Sequence, residues 1–292
     1  MPELPEVETV RLGLQHQTQG FLIARVEVLR DRAIAAPHDP ALFRLALEGC
    51  RIEQWSRRGK YLLAELRHPD GQQAGLWGVH LRMTGQFRWL AAPEGVGSGP
   101  AKDPDPGQHT RVRIWEQSGA ELRFIDTRSF AQMWFVPPGR AVECVITGLA
   151  RLGPEPFDPC FSAPYLQERL RGSRRPIKSA LLDQSLVAGI GNIYADESLF
   201  AAGILPQTVS GRLGSQRLER LRGAVVKILQ TSIGAGGTTF SDFRDLTGTN
   251  GNYGGQAWVY RRGGLPCRRC GTPLMRDRLA GRSTHWCPCC QR

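Results

Sequence analysis

Alternating hydrophobic and polar positions dominate the first half of the chain. Residues 21–30 alternate in this way, and further short strand-like runs follow, separated by Gly-containing turns. These runs are residues 61–66, 76–83, 86–91, 110–115, 120–126 and 132–136. A period of two predicts strands, and their short, regular spacing favours an antiparallel β-sandwich over a parallel doubly wound sheet.

Helical periodicity appears at the N-terminus and again in the second half. Val7, Val10 and Leu14 share one face of a helix that is entered through a proline. Asp39 followed by Pro40 is a typical helix start. Further helices are expected at residues 163–172, 176–184, 192–203 and 215–233. The change of pattern places a domain boundary around residues 137–152 and predicts an α+β, multidomain protein.

A Gly-, Thr- and Asn-rich segment follows these helices. Residues 234–256 carry few apolar side chains, and we expect them to be too polar and flexible to pack well. A cysteine-rich tail completes the chain.

Composition and charge restrict the function. No run approaches the ~18 apolar residues of a membrane helix, and no targeting segment is evident, so a cytosolic protein is expected. The net charge is +11, of which residues 258–292 contribute +7 through eight arginines and one acid. Because this charge is concentrated, it favours a nucleic-acid partner over general solubility.

The cysteines of the tail carry the strongest local signal. Two Cys-x2-Cys pairs are separated by sixteen residues, which fits a four-thiolate zinc site. Their members are Cys267, Cys270, Cys287 and Cys290. A disulfide pair or a redox motif is the alternative, and Cys289 could compete as a ligand. Four sulfur ligands leave no position for water, so the predicted role of zinc is structural.

Weaker motifs occur elsewhere. Gly189 and Gly191 predict a tight turn before a helix with Asn192 as its N-cap, where backbone N–H groups suit a phosphate. An ordinary capped helix would look the same. Lys60 follows a glycine before a strand, and Arg128 lies at a turn with an aromatic residue. Each of these residues taken alone is more often part of a solvated surface or loop.

The sequence begins with Met-Pro-Glu, which allows two interpretations. One is an ordinary helix start. In the other, removal of Met1 leaves Pro2 as a free secondary amine beside the carboxylate of Glu3. An α-amine has a pKa of about 8, well below that of lysine, so more of it is neutral and nucleophilic at pH 7.

The motifs, taken in order, resemble the formamidopyrimidine-DNA glycosylase family over essentially the whole chain. They are PELPEVET, RGKYLL, HLRMTG, DTRSF, LGPEP, GIGNIYADESLFAAGI, GGTT and the zinc ribbon. The resemblance implies a catalytic β-sandwich domain with its N-terminal helix and other flanking helices (1–137), a linker (138–152), a helix–two-turns–helix domain with a flexible lesion loop (153–256), and a four-cysteine zinc finger (257–292).

The same resemblance implies a bifunctional DNA glycosylase and AP lyase of base excision repair. Such an enzyme excises 8-oxoguanine and formamidopyrimidines through a Schiff base on Pro2 and then cleaves the strand by β,δ-elimination. The implied catalytic residues are Pro2, Glu3, Lys60 and Arg282. The implied DNA-binding residues are His80, Met83, His109, Arg128, Phe130 and Asn192. Glu6 and Glu197 are expected to line the lesion pocket.

The implied cofactor is one structural Zn²⁺, and the implied partner is double-stranded DNA containing oxidised purines. A bacterial, cytoplasmic monomer that associates with the nucleoid through DNA, without a membrane, is expected. Two departures from the family pattern stand out: Ser129 and Ala131 replace a common Arg and Gly, and Arg82 stands where Gly is also common. The alternatives are an endonuclease VIII-like enzyme for oxidised pyrimidines and a non-catalytic zinc-ribbon DNA-binding protein.

Overall fold

The computed structural model describes residues 2–92, 107–239 and 244–292. The chain forms two compact units. The first contains Met1–Pro2, Glu6–Ala150 and Thr238–Gly251, and the second contains Glu3–Pro5, Arg151–Gly237 and Asn252–Arg292. The four-part domain division inferred from the sequence remains a prediction.

The first unit combines helices with two β-sheets. Its elements are α1 (Leu4–Thr18, from Glu6 onward), β1 (Ile23–Val28), β2 (Ile34–Ala36), α2 (Pro40–Leu47), β3 (Arg51–Arg58), β4 (Tyr61–Arg67), β5 (Gln73–His80), β6 (Gly85–Leu90), β7 (Thr110–Glu116), β8 (Glu121–Asp126), β9 (Gln132–Val136) and α3 (Val142–Val145). The sheet orders are β2-β9-β5-β4-β3 and β1-β7-β8-β6. All pairs are antiparallel except the parallel pair β2–β9.

Buried aromatic rings fill the core of this β-sandwich. The rings of Trp55 and Trp77, from the five-stranded sheet, meet edge to face at 5.2 Å. Phe87, from the four-stranded sheet, contacts Trp77 at 6.0 Å and Phe124 at 4.9 Å. Such contacts hold two sheets face to face because interdigitating side chains form the layer between them. The β-sandwich predicted from the sequence pattern is therefore confirmed, with a buried aromatic layer between its sheets.

The predicted helix starts and strands are largely confirmed. Val7, Val10 and Leu14 are buried in the sandwich core, as the helical spacing predicts. Asp39 caps α2 by accepting a hydrogen bond from the Ala41 N–H at 2.8 Å. The strand expected at residues 76–83 ends earlier, at His80. Strands β2 and β3 were not predicted, since β2 has three residues and half of the eight residues of β3 are charged.

The second unit is helical and ends in a β-hairpin. Its elements are α4 (Ala163–Leu170), α5 (Ile177–Leu181), α6 (Asn192–Ala202), α7 (Ser215–Gly234), β10 (Met275–Leu279) and β11 (Arg282–Trp286). Helix α6 lies at the centre of this unit, and even its polar residues Asp196, Glu197 and Ser198 are buried. A hydrogen bond of 2.6 Å between the hydroxyls of Tyr194 and Ser232 joins α6 to α7.

The segment 234–256 contradicts its sequence-based interpretation. Leu246 is buried in the sandwich core, and its carbonyl accepts a hydrogen bond from the Trp89 N–H at 3.1 Å. Tyr253 is buried in the core of the helical unit. A few large apolar side chains are therefore enough to pack a segment that is polar on average. Residues 240–243, the remaining part of the predicted loop, lie outside the described residues.

Replacing Leu246 by Ala tests whether this segment contributes to the core. We expect a loss of about 2–5 kcal/mol in the free energy of unfolding, because the Leu246 side chain is 2% exposed and packs closely against α1. A Cβ added at Gly13 of that helix would lie only 3.3 Å from Leu246 Cδ1. Denaturant unfolding measures the change. Leu265→Ala is the control, since Leu265 is 51% exposed. Equal effects of the two substitutions would contradict the packing of this segment.

Candidate active site

Glu3 is seated on the N-terminus of helix α6. Its side chain is 2% exposed, and its two carboxylate oxygens accept hydrogen bonds from the backbone N–H groups of Ile193 (2.9 Å) and Tyr194 (3.3 Å). The first N–H groups of a helix have no partner within the helix and lie at the positive end of its dipole. The carboxylate beside Pro2 is therefore held in place by a rigid element, and Pro2 itself is buried.

Two glycines make room for this N-terminal segment. A Cβ at Gly191 would lie 2.3 Å from the Glu3 carboxylate carbon, and a Cβ at Gly189 would lie 2.6 Å from Leu4. Gly189 also has a φ of +89°, which favours glycine. The Gln184 side chain braces the turn by accepting from the Gly189 N–H at 3.0 Å and donating to the Ile190 carbonyl at 2.8 Å. The predicted close-approach turn is thus confirmed, and the approaching group is the protein's own N-terminus.

The structure corrects the prediction that Asn192 is the N-cap of α6. Gly191 is the N-cap, and Asn192 is the first residue of the helix. The Asn192 side chain instead donates to the Ser283 carbonyl at 3.0 Å. Because Ser283 follows Arg282 at the start of β11, this bond brings two predicted phosphate-binding residues close together.

A buried cluster that sequence reasoning missed holds the same strand. The Lys178 ammonium lies 2.7 Å from an Asp196 carboxylate oxygen and donates to the Ser283 carbonyl at 2.7 Å. The other Asp196 oxygen accepts from the His285 N–H at 3.0 Å. Burial lowers the pKa of Lys178, and the adjacent Asp196 opposes that shift. A signal was available, since Lys178 is one of only four lysines and lies in a short helix in which Ile177, Ala180 and Leu181 are buried.

Lys60 and His80 lie close to each other in the β-sandwich unit. Lys60 precedes β4, and His80 ends β5, where it pairs with Tyr61. Burial, with further contributions from Arg82 and Lys60, lowers the pKa of His80 to about 3. The His80 Nδ1 accepts a hydrogen bond from the Arg82 N–H at 3.0 Å. The neutral ring therefore carries its proton on Nε2, which makes that nitrogen a donor.

Asp126 organises the turn that carries Arg128 and Phe130. Its carboxylate accepts from the backbone N–H groups of Ala131 (2.8 Å) and Arg128 (3.3 Å). The Arg128 guanidinium stacks 4.8 Å from the ring of Phe130, which is 42% exposed. His109 contributes its carbonyl, which accepts from the Asp126 N–H at 2.9 Å.

Of the two unusual residues of this turn, Ala131 fits without strain, whereas Ser129 takes a backbone conformation that favours glycine. Ala131 is buried and keeps its backbone bond to Asp126. Ser129 adopts a positive φ of 53°. Met83 and Phe130 line one cavity of about 430 Å³, so the structure brings these two sequence-predicted residues together.

The carboxylates of Glu6 and Glu197 accept hydrogen bonds from backbone N–H groups of other chain segments. Glu6 accepts from the Thr238 N–H at 2.8 Å. Glu197 is fully buried and accepts from three consecutive N–H groups, those of residues 258–260, at 2.8–2.9 Å. Burial raises the pKa of Glu197 against the effect of these bonds. Both acids position chain segments in the structure, and their role in a lesion pocket remains a prediction.

The four predicted zinc ligands converge. Sγ atoms lie 4.0 Å apart for Cys267 and Cys290 and 3.5 Å apart for Cys270 and Cys287, and all four lie within 4.8 Å of one another. Four sulfurs at about 2.3 Å from a tetrahedral zinc ion are separated by roughly 3.8 Å, so the cluster fits a Zn²⁺ ion. Cys289 is exposed and outside the group. The predicted structural zinc is confirmed by the ligand set and its geometry.

Comparisons with known proteins agree with this architecture. Residues 1–133 match the formamidopyrimidine-DNA glycosylase N-terminal domain, residues 152–244 match the H2TH domain of the same enzymes, and residues 264–292 match a zinc finger found in FPG and IleRS. Formamidopyrimidine-DNA glycosylase from Parasynechococcus marenigrum is 63% identical over the full length of both chains.

Solved structures support the same assignment. A mutant of the Lactococcus lactis FPG, in complex with DNA containing Fapy-dG, has a TM-score of 0.85 at 32% identity over all of both chains. The MutM (Fpg) protein from Thermus thermophilus has a TM-score of 0.83 at 37% identity, over 99% of this chain and 98% of that one.

These findings define the class of protein as a DNA glycosylase of base excision repair. The chain belongs to the formamidopyrimidine-DNA glycosylase family, which is a family of combined glycosylases and AP lyases. The resemblance inferred from its motifs is therefore confirmed. In the described parts of the chain, no helix has the length and apolar character needed to cross a membrane.

The Gly191→Ala substitution tests the seating of Glu3. The added methyl would occupy the space of the Glu3 carboxylate, so we expect base excision to fall at least about tenfold, as misplaced reacting groups commonly cause. Single-turnover kinetics measure this. Gly214→Ala is the matched control, because Gly214 is also a helix N-cap and a Cβ there meets nothing within 4 Å. Unchanged excision by Gly191→Ala would exclude the proposed constraint.

The buried neutral ring of His80 predicts a pH-dependent stability. Below pH 6.5 the unfolded chain binds a proton at His80, whereas the folded chain does not until the pH approaches 3. The free energy of unfolding should therefore fall with decreasing pH in this window, by up to about 1.4 kcal/mol per pH unit. His80→Gln should reduce this slope, and His68→Gln, at an exposed histidine, should leave it unchanged. Denaturant unfolding at pH 6.5 and pH 4 compares them, and identical slopes would refute the assignment.

Proposed function

We propose that this glycosylase excises oxidised purines, such as 8-oxoguanine and formamidopyrimidines, from double-stranded DNA through a Schiff base on Pro2. The observation that carries the proposal is the fixed carboxylate of Glu3 directly after Pro2, at the N-terminus of α6. Burial and two N–H donors keep this group in one position. Curated relatives that match over the full chain support the purine substrate class.

The proposed chemistry starts with removal of Met1 and a proton transfer from the Pro2 amine to Glu3. The neutral amine attacks C1′ of the damaged nucleotide, the C1′–N bond to the base breaks, and the departing base takes up the N–H proton that the attacking nitrogen loses. Glu3, now protonated, gives its proton to the sugar ring oxygen, which opens the ring. A secondary amine then forms a positively charged iminium at C1′, and this group is an electron sink.

Strand cleavage follows from the same iminium. It acidifies the C2′ proton, and loss of that proton expels the 3′ phosphate, after which a second elimination expels the 5′ phosphate. We assign Lys60 and Arg282 to these steps, as cations that neutralise the charge of the departing phosphates. The placement of the Arg282 strand by Lys178 and Asn192 supports the assignment within the second unit.

The remaining site residues are assigned to DNA contacts. In this proposal the Nε2–H group of His80 donates a hydrogen bond to a DNA phosphate, and His109 and Asn192 also contact the DNA backbone. Met83, Arg128 and Phe130 fill the gap that the flipped nucleotide leaves. Glu6 and Glu197 shape the lesion pocket through the segments that they hold. The net charge of +11 supports binding to DNA. In this proposal the protein acts as a monomer in the bacterial cytoplasm.

Two alternatives are weaker. A non-catalytic zinc-ribbon protein would not require the catalytic-domain match over residues 1–133. An endonuclease VIII-like preference for oxidised pyrimidines shares the nucleophile, so it must be separated by substrate.

Borohydride reduction tests the nucleophile. With a duplex containing 8-oxoguanine opposite cytosine, we expect a covalent protein–DNA adduct that peptide mapping places on Pro2, because borohydride reduces the iminium to a stable amine. Pro2→Glu should retain Met1 and abolish trapping, since it removes the secondary amine. An adduct on Lys60 would overturn the mechanism.

The same assay separates the substrate classes. A duplex containing thymine glycol serves as the comparison at equal concentration, and trapping should be slower on it than on 8-oxoguanine. Faster trapping on thymine glycol would favour the endonuclease VIII-like alternative.

A further inference from the structure

The cavity beside Phe130 contains more positive charge than the gap-filling residues account for. Met83 and Phe130 line it together with Arg32, Arg82 and Gln132, and it encloses about 430 Å³. The Arg32 guanidinium lies 5.9 Å from the ring of Phe130. The Arg128 guanidinium lies over the same ring at 4.8 Å, so two guanidinium groups flank the exposed Phe130 side chain, and Arg82 lines the cavity beside it.

Among the described residues, these three arginines have no acidic partner. Within residues 2–92, 107–239 and 244–292, no carboxylate forms an ion pair with Arg32, Arg82 or Arg128. Arginines elsewhere in the sandwich behave differently, for example Arg113, which pairs with Glu121 at 2.9 Å. Unpaired guanidinium groups with several free N–H donors are suited to a phosphate, which they bind in a planar, bidentate manner.

Arg82 is held towards the cavity against a conformational cost. Its φ is +52°, a region in which glycine is favoured over residues that carry a Cβ. Its backbone N–H donates to His80, and its guanidinium donates to the Gln132 side chain at 2.8 Å. The bond to Gln132 uses one of the five guanidinium N–H groups, so others remain for a ligand. Such strain at a non-glycine residue points to a functional requirement.

We propose that Arg82 and Arg32 form a phosphate-binding site that holds a backbone phosphodiester of the DNA next to the gap-filling residues. This inference rests on the proposed function, because it takes the DNA contact of Met83 and Phe130 as given. Phosphate contacts fix the register of a protein on a duplex, whereas an inserted apolar side chain offsets the cost of unstacking. Arg82 and Arg32 therefore anchor the strand so that Phe130 meets the correct base step. Arg82 supplies, from a neighbouring turn, a positive charge beside Ser129, where the family pattern commonly has Arg.

The salt dependence of DNA binding tests this site, because its slope is proportional to the number of phosphates that the protein neutralises. The full-length protein is titrated with a duplex containing a tetrahydrofuran abasic analogue, between 50 and 200 mM salt. Each lost phosphate contact should lower the slope of log Kd against log[salt] by about 0.9. Across this fourfold salt range, the fold-loss of affinity should thus be about 3.5 times smaller for Arg82→Gln or Arg32→Gln than for the wild-type protein.

Charge-retaining and strain-relieving variants separate this role from a structural one. Arg82→Lys should keep the wild-type slope. Arg82→Gly should lower the slope while keeping or raising the melting temperature, since glycine relieves the positive φ. Arg67→Gln is the control, because Arg67 lies in the same unit near Glu53 at 3.8 Å, and it should leave the slope unchanged.

The outcomes distinguish this inference from the proposed function. Equal slopes for Arg82→Gln, Arg82→Lys and the wild-type protein would overturn the phosphate site, even if borohydride trapping on Pro2 succeeds. A lowered slope for Arg82→Gln and Arg32→Gln, with trapping absent, would support the site and refute the mechanism instead.

Discussion

The hydrogen bonds from helix α6 to Glu3 are the constraint on which the rest of the candidate active site depends. A carboxylate removed from water needs donors, and the first N–H groups of a helix supply them without side-chain entropy loss. Ile193 and Tyr194 supply these donors. Several other features of the second unit serve this contact: the two glycines leave space for the N-terminus, and Gln184 holds their turn.

Buried polar groups likewise connect helices α5 and α6 to strand β11 of the zinc finger by hydrogen bonds and ion pairs. Ser283 receives hydrogen bonds from both Lys178 and Asn192, and Asp196 joins Lys178 to His285. Unpaired, each of these groups would be strongly destabilising, so the cluster tolerates little displacement of β11. The zinc ion holds the hairpin together internally, whereas these bonds determine where the hairpin lies against α6. The two functions are thus separated between metal and side chains.

Much of this arrangement was predictable from local sequence patterns. The strands of the sandwich, the capped helix after Asp39 and the four zinc ligands follow from spacing and residue type, because their partners or their pattern are local. The predictions that were wrong concern non-local contacts. Asn192 has the right residue type for an N-cap, but its partner is Ser283, 91 residues away. Leu246 packs into a core formed by strands far earlier in the chain, which average polarity cannot reveal. Lys178 and Asp196 become meaningful only when two helices and a hairpin meet.

The distance in sequence between Glu3 and its donors also determines when the site can form. Glu3 leaves the ribosome among the first residues, and the N–H groups that hold it are made 190 and 191 residues later. At about 5–20 residues per second, this interval is roughly 10–40 s. During that time the β-sandwich strands have been synthesised, but the N–H groups that bind the Glu3 carboxylate have not. The Glu3 carboxylate therefore acquires its donors late in synthesis, and a nascent or prematurely terminated chain that ends before α6 cannot hold it in its folded position.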